Sequence, residues 1–154
     1  MTFNNSTGTY PGNYTATVTL KYGYKFTNNT TSTNVIWIIP KNTVIINATL
    51  SNNSSATYAY GGTVPALGNT ITGNIIDNYT ISYSGNGSTN VTETLMATWA
   101  PSSTAYTITP SITFPNGGSN YYTVTYGSAA LTVVKGYRAI AWTNPTINSV
   151  LSLN

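Results

Sequence analysis

Apolar and polar residues alternate with a period of two along most of this chain, the spacing of strands that turn one face to a core and the other to solvent. Val, Ile, Thr and Tyr fill the alternating runs, Pro and Gly clusters break them, and no window of ten residues carries a helical stripe with caps. The pattern predicts strands over residues 14–26, 35–39, 43–50, 56–60, 70–76, 78–84, 89–99, 104–109, 120–126, 128–135, 137–142 and 146–153. Two Gly-rich turns, Ser84-Gly85-Asn86-Gly87 and Pro115-Asn116-Gly117-Gly118, read as hairpin connections. Short strands with frequent turn signals imply an all-β fold, a sandwich of immunoglobulin-like or jelly-roll kind.

One run is longer than a sandwich strand needs. From Tyr14 to Phe26 every even position is apolar or aromatic (Tyr14, Ala16, Val18, Leu20, Tyr22, Tyr24, Phe26), and the odd positions are Thr15, Thr17, Thr19, Lys21, Gly23 and Lys25. Fully extended, these thirteen residues reach ~43 Å, roughly twice the usual strand. Either the strand bends at Gly23 and passes between sheets, or part of this N-terminal region leaves its own domain and completes a neighbour's sheet. Strand addition of that type takes affinity from main-chain hydrogen bonds and specificity from alternate side chains. Lys21 and Lys25 on the polar face discourage unwanted edge pairing.

Composition narrows the chemistry. Of 154 residues, 65 are Asn, Ser or Thr, only seven are charged, and His, Cys and Gln are absent. The length suits one domain, and the 40% hydrophobic content excludes a disordered polar tract. A net charge of +3 spread over Lys21, Lys25, Lys41, Lys135 and Arg138 is no basic patch, so nucleic acid is not an expected partner. With no His or Cys and only Asp77 and Glu93 as acids, no catalytic, cofactor or metal site is expected. Full protonation of both acids raises the side-chain charge only from +3 to +5, so the fold is expected to tolerate acid. A large loss of folded protein between pH 7 and pH 3 would overturn that expectation.

No stretch approaches the ~18 consecutive apolar residues of a membrane-spanning helix, so no membrane insertion is expected. The first 30 residues carry no apolar leader core. The expected setting is extracellular, with the leader already removed. Zero Cys means that durability comes from something other than disulfides.

Eleven Asn residues open an Asn-x-Ser/Thr sequon: Asn4, Asn5, Asn13, Asn28, Asn29, Asn47, Asn52, Asn53, Asn78, Asn86 and Asn90. This is about twice the number that chance gives at this composition, and all lie before residue 93. Those in strands fall on the polar phase: Asn47 opposes Val44, Ile46, Ala48 and Leu50, Asn78 opposes Tyr79, Ile81 and Tyr83, and Asn90 alternates with Val91 and Leu95. Exposed Asn residues of this kind suit N-glycosylation, or simply fill a solvent face.

Asp77 and Glu93 fall on the apolar phase and read as buried acids. Each is a structural carboxyl held by hydroxyls or a Lys, a promoter of a Lys–Asn isopeptide crosslink, or half of a glycosidase pair. The crosslink predicts an intact-mass loss of about 17 Da, an ammonia. Trp37 and Trp99 read as core residues, and Tyr121-Tyr122 as an exposed aromatic pair.

An Asn/Ser/Thr/Tyr-rich, Cys-free, charge-poor β domain, dense in sequons and carrying the run Tyr14–Phe26, resembles the thread pilins of Sulfolobus-type thermoacidophilic archaea. The resemblance implies a pilin-like sandwich polymerised head to tail by donor-strand complementation into a glycosylated surface filament with an adhesion or cell-contact role. Residues 1–27 would form the tail and residues 28–154 the head. The partners would be identical subunits and covalent N-glycans. The polar stretch Met1–Tyr10 lacks alternation, so residues 1–12, 14–26 and Thr146–Leu153 compete as the donated strand. Two other readings stand beside this one: a viral capsid or spike jelly roll, and a secreted carbohydrate-binding β-sandwich module.

Overall fold

The alternating β-branched and aromatic residues fold as strands almost throughout the computed structural model, which describes residues 1–5, 7–115 and 117–139. Among the described residues they are β1 (Thr2–Asn4), β2 (Gly12–Thr19), β3 (Ser32–Ile39), β4 (Asn42–Leu50), β5 (Ser55–Ala59), β6 (Leu67–Thr72), β7 (Thr80–Ser84), β8 (Tyr106–Thr113), β9 (Tyr122–Gly127) and β10 (Ala129–Val134), with one α-helical turn, α1 (Glu93–Met96), and a 3-10 turn at Gly118–Asn120. The fold is all-β, as the period-two pattern predicts. Three sheets form, in the orders β1-β2-β3, β6-β4-β9 and β5-β10-β8-β7.

The last two sheets face one another as a sandwich, with β4 over β8 and β10 and β9 over β8. Both are mixed: β4 pairs antiparallel with β6 and parallel with β9, while β10 pairs parallel with β5 and antiparallel with β8. Every connection between sandwich strands crosses from one sheet to the other except β7 to β8. The larger core cluster gathers Ala48, Leu50, Tyr58, Met96, Trp99, Ile108, Leu131 and Val133 between the sheets. Full burial of side chains of this size contributes roughly 1.5–3 kcal/mol each. A second cluster has only Val44, Ile46 and Tyr122 fully buried, flanked by half-buried Ile81, Ile112 and Val124.

Four expectations need correction. The strand expected over 14–26 ends at Thr19: Leu20 N–H still donates to the Thr31 carbonyl (2.9 Å), but Gly23 at φ +90° turns the chain back into β3. The strand expected over 89–99 is a loop and α1, because Thr92 Oγ1 accepts from Leu95 N–H (3.2 Å) as an N-cap and Glu93 occupies the first turn. The turn Pro115–Gly118 is no hairpin, since β8 and β9 belong to opposite sheets and Tyr122 turns inward to stack on Phe114 at 4.9 Å. Residues 137–139 form no strand, and the rest of the run 137–142, like 146–153, lies outside the described residues. At the other expected hairpin, Asn86 (φ 47°) and Gly87 (φ 79°) make a tight turn closed by reciprocal Gly85–Ser88 hydrogen bonds of 2.9 Å.

Tyr58 ties the two halves of the core, its buried hydroxyl donating to the Met96 carbonyl at 2.6 Å. Burial, then the nearby Tyr60 and Tyr106 hydroxyls, raises its pKa above the ordinary 10.0. The folded chain thus keeps a proton that the unfolded chain releases. This stabilisation is complete below the unfolded pKa and is lost as pH rises through the raised folded value. Tyr58→Phe is expected to remove that part of the alkaline decline in denaturant melts run against pH, and to cost only about 0.5–1.5 kcal/mol at neutral pH, because the Met96 carbonyl still accepts from Trp99 N–H at 3.1 Å.

Candidate functional site

The N-terminal sheet contributes no strand to the sandwich. β2 is its central strand, paired along its full length with β3 and over Thr17–Thr19 with β1. Of the donor-strand candidates, Tyr14, Ala16 and Val18 lie on β2, with Ala16 and Val18 buried and Tyr14 stacked on Trp37 at 4.6 Å. Leu20 follows the strand, and Tyr22, Tyr24 and Phe26 lie in the turn, where Tyr22 is fully exposed. The run Tyr14–Phe26 is therefore not one continuous strand, and its ordered part already has partners. The hairpin β2–β3 also spans the expected 27/28 domain boundary.

Among the described residues this sheet ends on one side in short β1 and on the other in its longer edge strand, β3. Its sequence runs Val35-Ile36-Trp37-Ile38-Ile39, and Val35, Ile36 and Ile38 are 48%, 72% and 63% exposed. Strand alternation sends Val35 to one face, beside Ala16, and Ile36 and Ile38 to the other, beside Thr15 and Asn13. A run apolar on both faces is the signature of a strand buried on both faces, yet here it lies at an edge. Sequence reasoning passed over it; five consecutive apolar residues, unlike the neighbouring alternation, were the available signal.

The two sheets of the sandwich are unequal in width among the described residues. Three strands oppose four, and β7 extends beyond β8 on the side where β9 ends the smaller sheet. The side chains there, Ile81, Ile112 and Val124, are the half-buried flank of the second core cluster. Among the described residues no strand pairs with the outer edge of β9.

Ten of the eleven sequon Asn residues are exposed; Asn47 alone is half-buried, its amide lying where a Cβ on Gly127 would sit. Asn28 Oδ1 accepts from both the backbone N–H (3.2 Å) and the hydroxyl (2.7 Å) of its own sequon Thr30. Asn29 Oδ1 accepts from Lys25 Nζ at 3.0 Å. Asn52, at φ 66°, caps the tight turn after β4.

The acids separate. Glu93 is exposed, not buried, because the residue expected on a strand's apolar phase is in α1; its Oε1 accepts from Leu67 N–H at 2.9 Å. Asp77 is half-buried, and its Oδ2 accepts from the Tyr122 hydroxyl at 2.8 Å, which in turn accepts from Ile76 N–H at 3.1 Å. Each carboxylate thus has a structural partner, and neither partner is a Lys. Tyr121 and Tyr122 are not an exposed pair: Tyr122 is 6% exposed, and Tyr121 stacks on Tyr10 at 5.0 Å. Among the described residues no three His, Cys, Asp or Glu side chains gather as a metal site requires, and no helix is long and apolar enough to cross a membrane.

Compared with known proteins, the chain matches no family model, no curated protein and no solved structure.

Proposed function

We propose that this protein is the structural subunit of an extracellular, N-glycosylated filament whose subunits join head to tail by strand addition, with an adhesive or cell-contact role. One observation carries the proposal: β3 is an edge strand apolar on both faces, and among the described residues the outer edge of β9 in the sandwich has no strand paired to it. Joining β3 of one copy to β9 of the next is a heterologous contact, which runs on as an open filament wherever its rotation does not close a ring. Burying Val35, Ile36 and Ile38 supplies on the order of 5 kcal/mol before ordering costs. The donated element is then β3 of the N-terminal sheet. The exposed sequons support a glycan coat, and the scarcity of titrating groups supports service in acid.

Electron microscopy of native material is the direct test. Filaments one subunit wide are the expected result; closed shells would instead support a capsid jelly roll, and monomers a secreted binding module.

A further inference from the structure

The N-terminal sheet meets the sandwich through Tyr10, whose ring lies 5.0 Å from that of Tyr121 with 12° between the planes. Beside this stack opens a cleft of about 340 Å³ between the two units, within the range of small-molecule sites. Its wall carries Tyr10, Tyr121, Tyr122, Asn42, Asn74 and Asp77. We infer that this cleft is a binding site for a neutral pyranose sugar.

Three features select that class. One face of the Tyr10 ring is covered by its stack on Tyr121, and the residue, 57% exposed, keeps the other face open, an apolar surface of the kind that packs against the C–H face of a sugar ring. Asp77 accepts from the Tyr122 hydroxyl through Oδ2, leaving Oδ1 as an acceptor for a sugar hydroxyl, while Asn42, whose Nδ2 donates to the Asn74 carbonyl, keeps its Oδ1 as a second acceptor. The lining holds one carboxylate and no basic residue, so it repels phosphate, sulfate and carboxylate ligands. A purely apolar ligand would strip water from Asp77 without replacing its hydrogen bonds. A pyranose, with a hydrophobic face and a hydroxyl edge, meets both walls at once. The site does not depend on polymerisation, since all its residues belong to one chain.

The test uses the full-length chain titrated with methyl α-glucopyranoside, methyl α-mannopyranoside and N-acetylglucosamine, followed by saturation-transfer NMR. Saturable binding is expected with at least one of them. Tyr10→Ala is expected to weaken it about tenfold, and Asp77→Asn by a similar factor, the scale of one hydrogen bond to a charged group. Tyr79→Ala, an exposed Tyr outside the cleft, should leave it unchanged. Tyr10 is exposed and its loss leaves the sandwich core intact, so this variant separates binding from folding. A parallel arm titrates the glycans released from the protein itself. Tighter binding of these than of the simple pyranosides identifies another copy's glycan as the source, and the reverse order identifies a foreign one. Absence of saturation by about 100 mM, unchanged affinity in Tyr10→Ala, or displacement of the sugar by n-butylamine at equal concentration would overturn the assignment.

Discussion

A chain lacking residues 1–40 is expected to remain a folded monomer and to form no filaments. Every strand of the sandwich begins at Asn42 or later, so both core clusters survive the cut. The loss on the sandwich side is the Tyr10–Tyr121 stack, worth about 0.5–1.5 kcal/mol. What disappears entirely is β3 and its apolar edge. Sedimentation should report a single monomeric species, circular dichroism a retained β spectrum, and microscopy an empty field. A point variant guards against misreading a truncation that fails to fold: Ile36→Lys with Ile38→Lys in the full chain places two charges on one face of β3 without touching a buried residue. Its melt should match the parent while filaments vanish. Filaments persisting in both variants would sink the assignment of β3 as the joining strand.

Leu131→Ala is expected to destabilise the sandwich by about 4 kcal/mol, in the upper part of the ~2–5 kcal/mol range for such truncations. Leu131 is fully buried on β10, between β5 and β8, where its register partners are Ala56 and Tyr106. Ala48, Ala56 and Ala129 are among its neighbours in the cluster and are too small to move into the vacated space. A cavity therefore remains, against a total stability of roughly 5–15 kcal/mol for a domain. Urea melts should show a lower midpoint at unchanged slope. Val134→Ala, on the same strand but 42% exposed, should stay within about 0.5 kcal/mol of the parent. Equal losses in the two variants would mean that the core is centred elsewhere.

Local pattern reaches a long way in this chain, and its failures have identifiable causes. β4, β5, β9 and β10 follow directly from alternation, because one face of each packs inward and the other carries Thr or Asn. The run 89–99 misleads because Val91 and Leu95 fit a period of two, yet Val91, Leu95, Met96 and Trp99 fit a helical spacing as well, and Thr92 as a cap decides between them. Tyr14–Phe26 keeps its alternation through a turn, where the pattern has no meaning. Which strands share a sheet was not readable, since almost every connection changes layers and no local signal marks the crossing. Strand phase did not decide the exposure of the sequons: Asn47, on the phase read as polar, is half-buried, and Asn78 and Asn90 are exposed outside any strand. The cleft was not legible, because Tyr10, Asn42, Asp77 and Tyr121 are brought together only by tertiary folding.

The layer-changing connections also order events in time. The hairpin β2–β3 needs only the turn 20–31 to close, and hairpins of this kind form in about 1–10 μs. The sandwich must pair β4 with β9 and β5 with β10 across about 75 residues each, a topology that folds on the scale of milliseconds to seconds. The edge of β3 therefore forms before the sandwich edge proposed to receive it. For the filament proposed above, edges in that interval can meet only other edges, so its yield should fall as the concentration of unfolded chain rises.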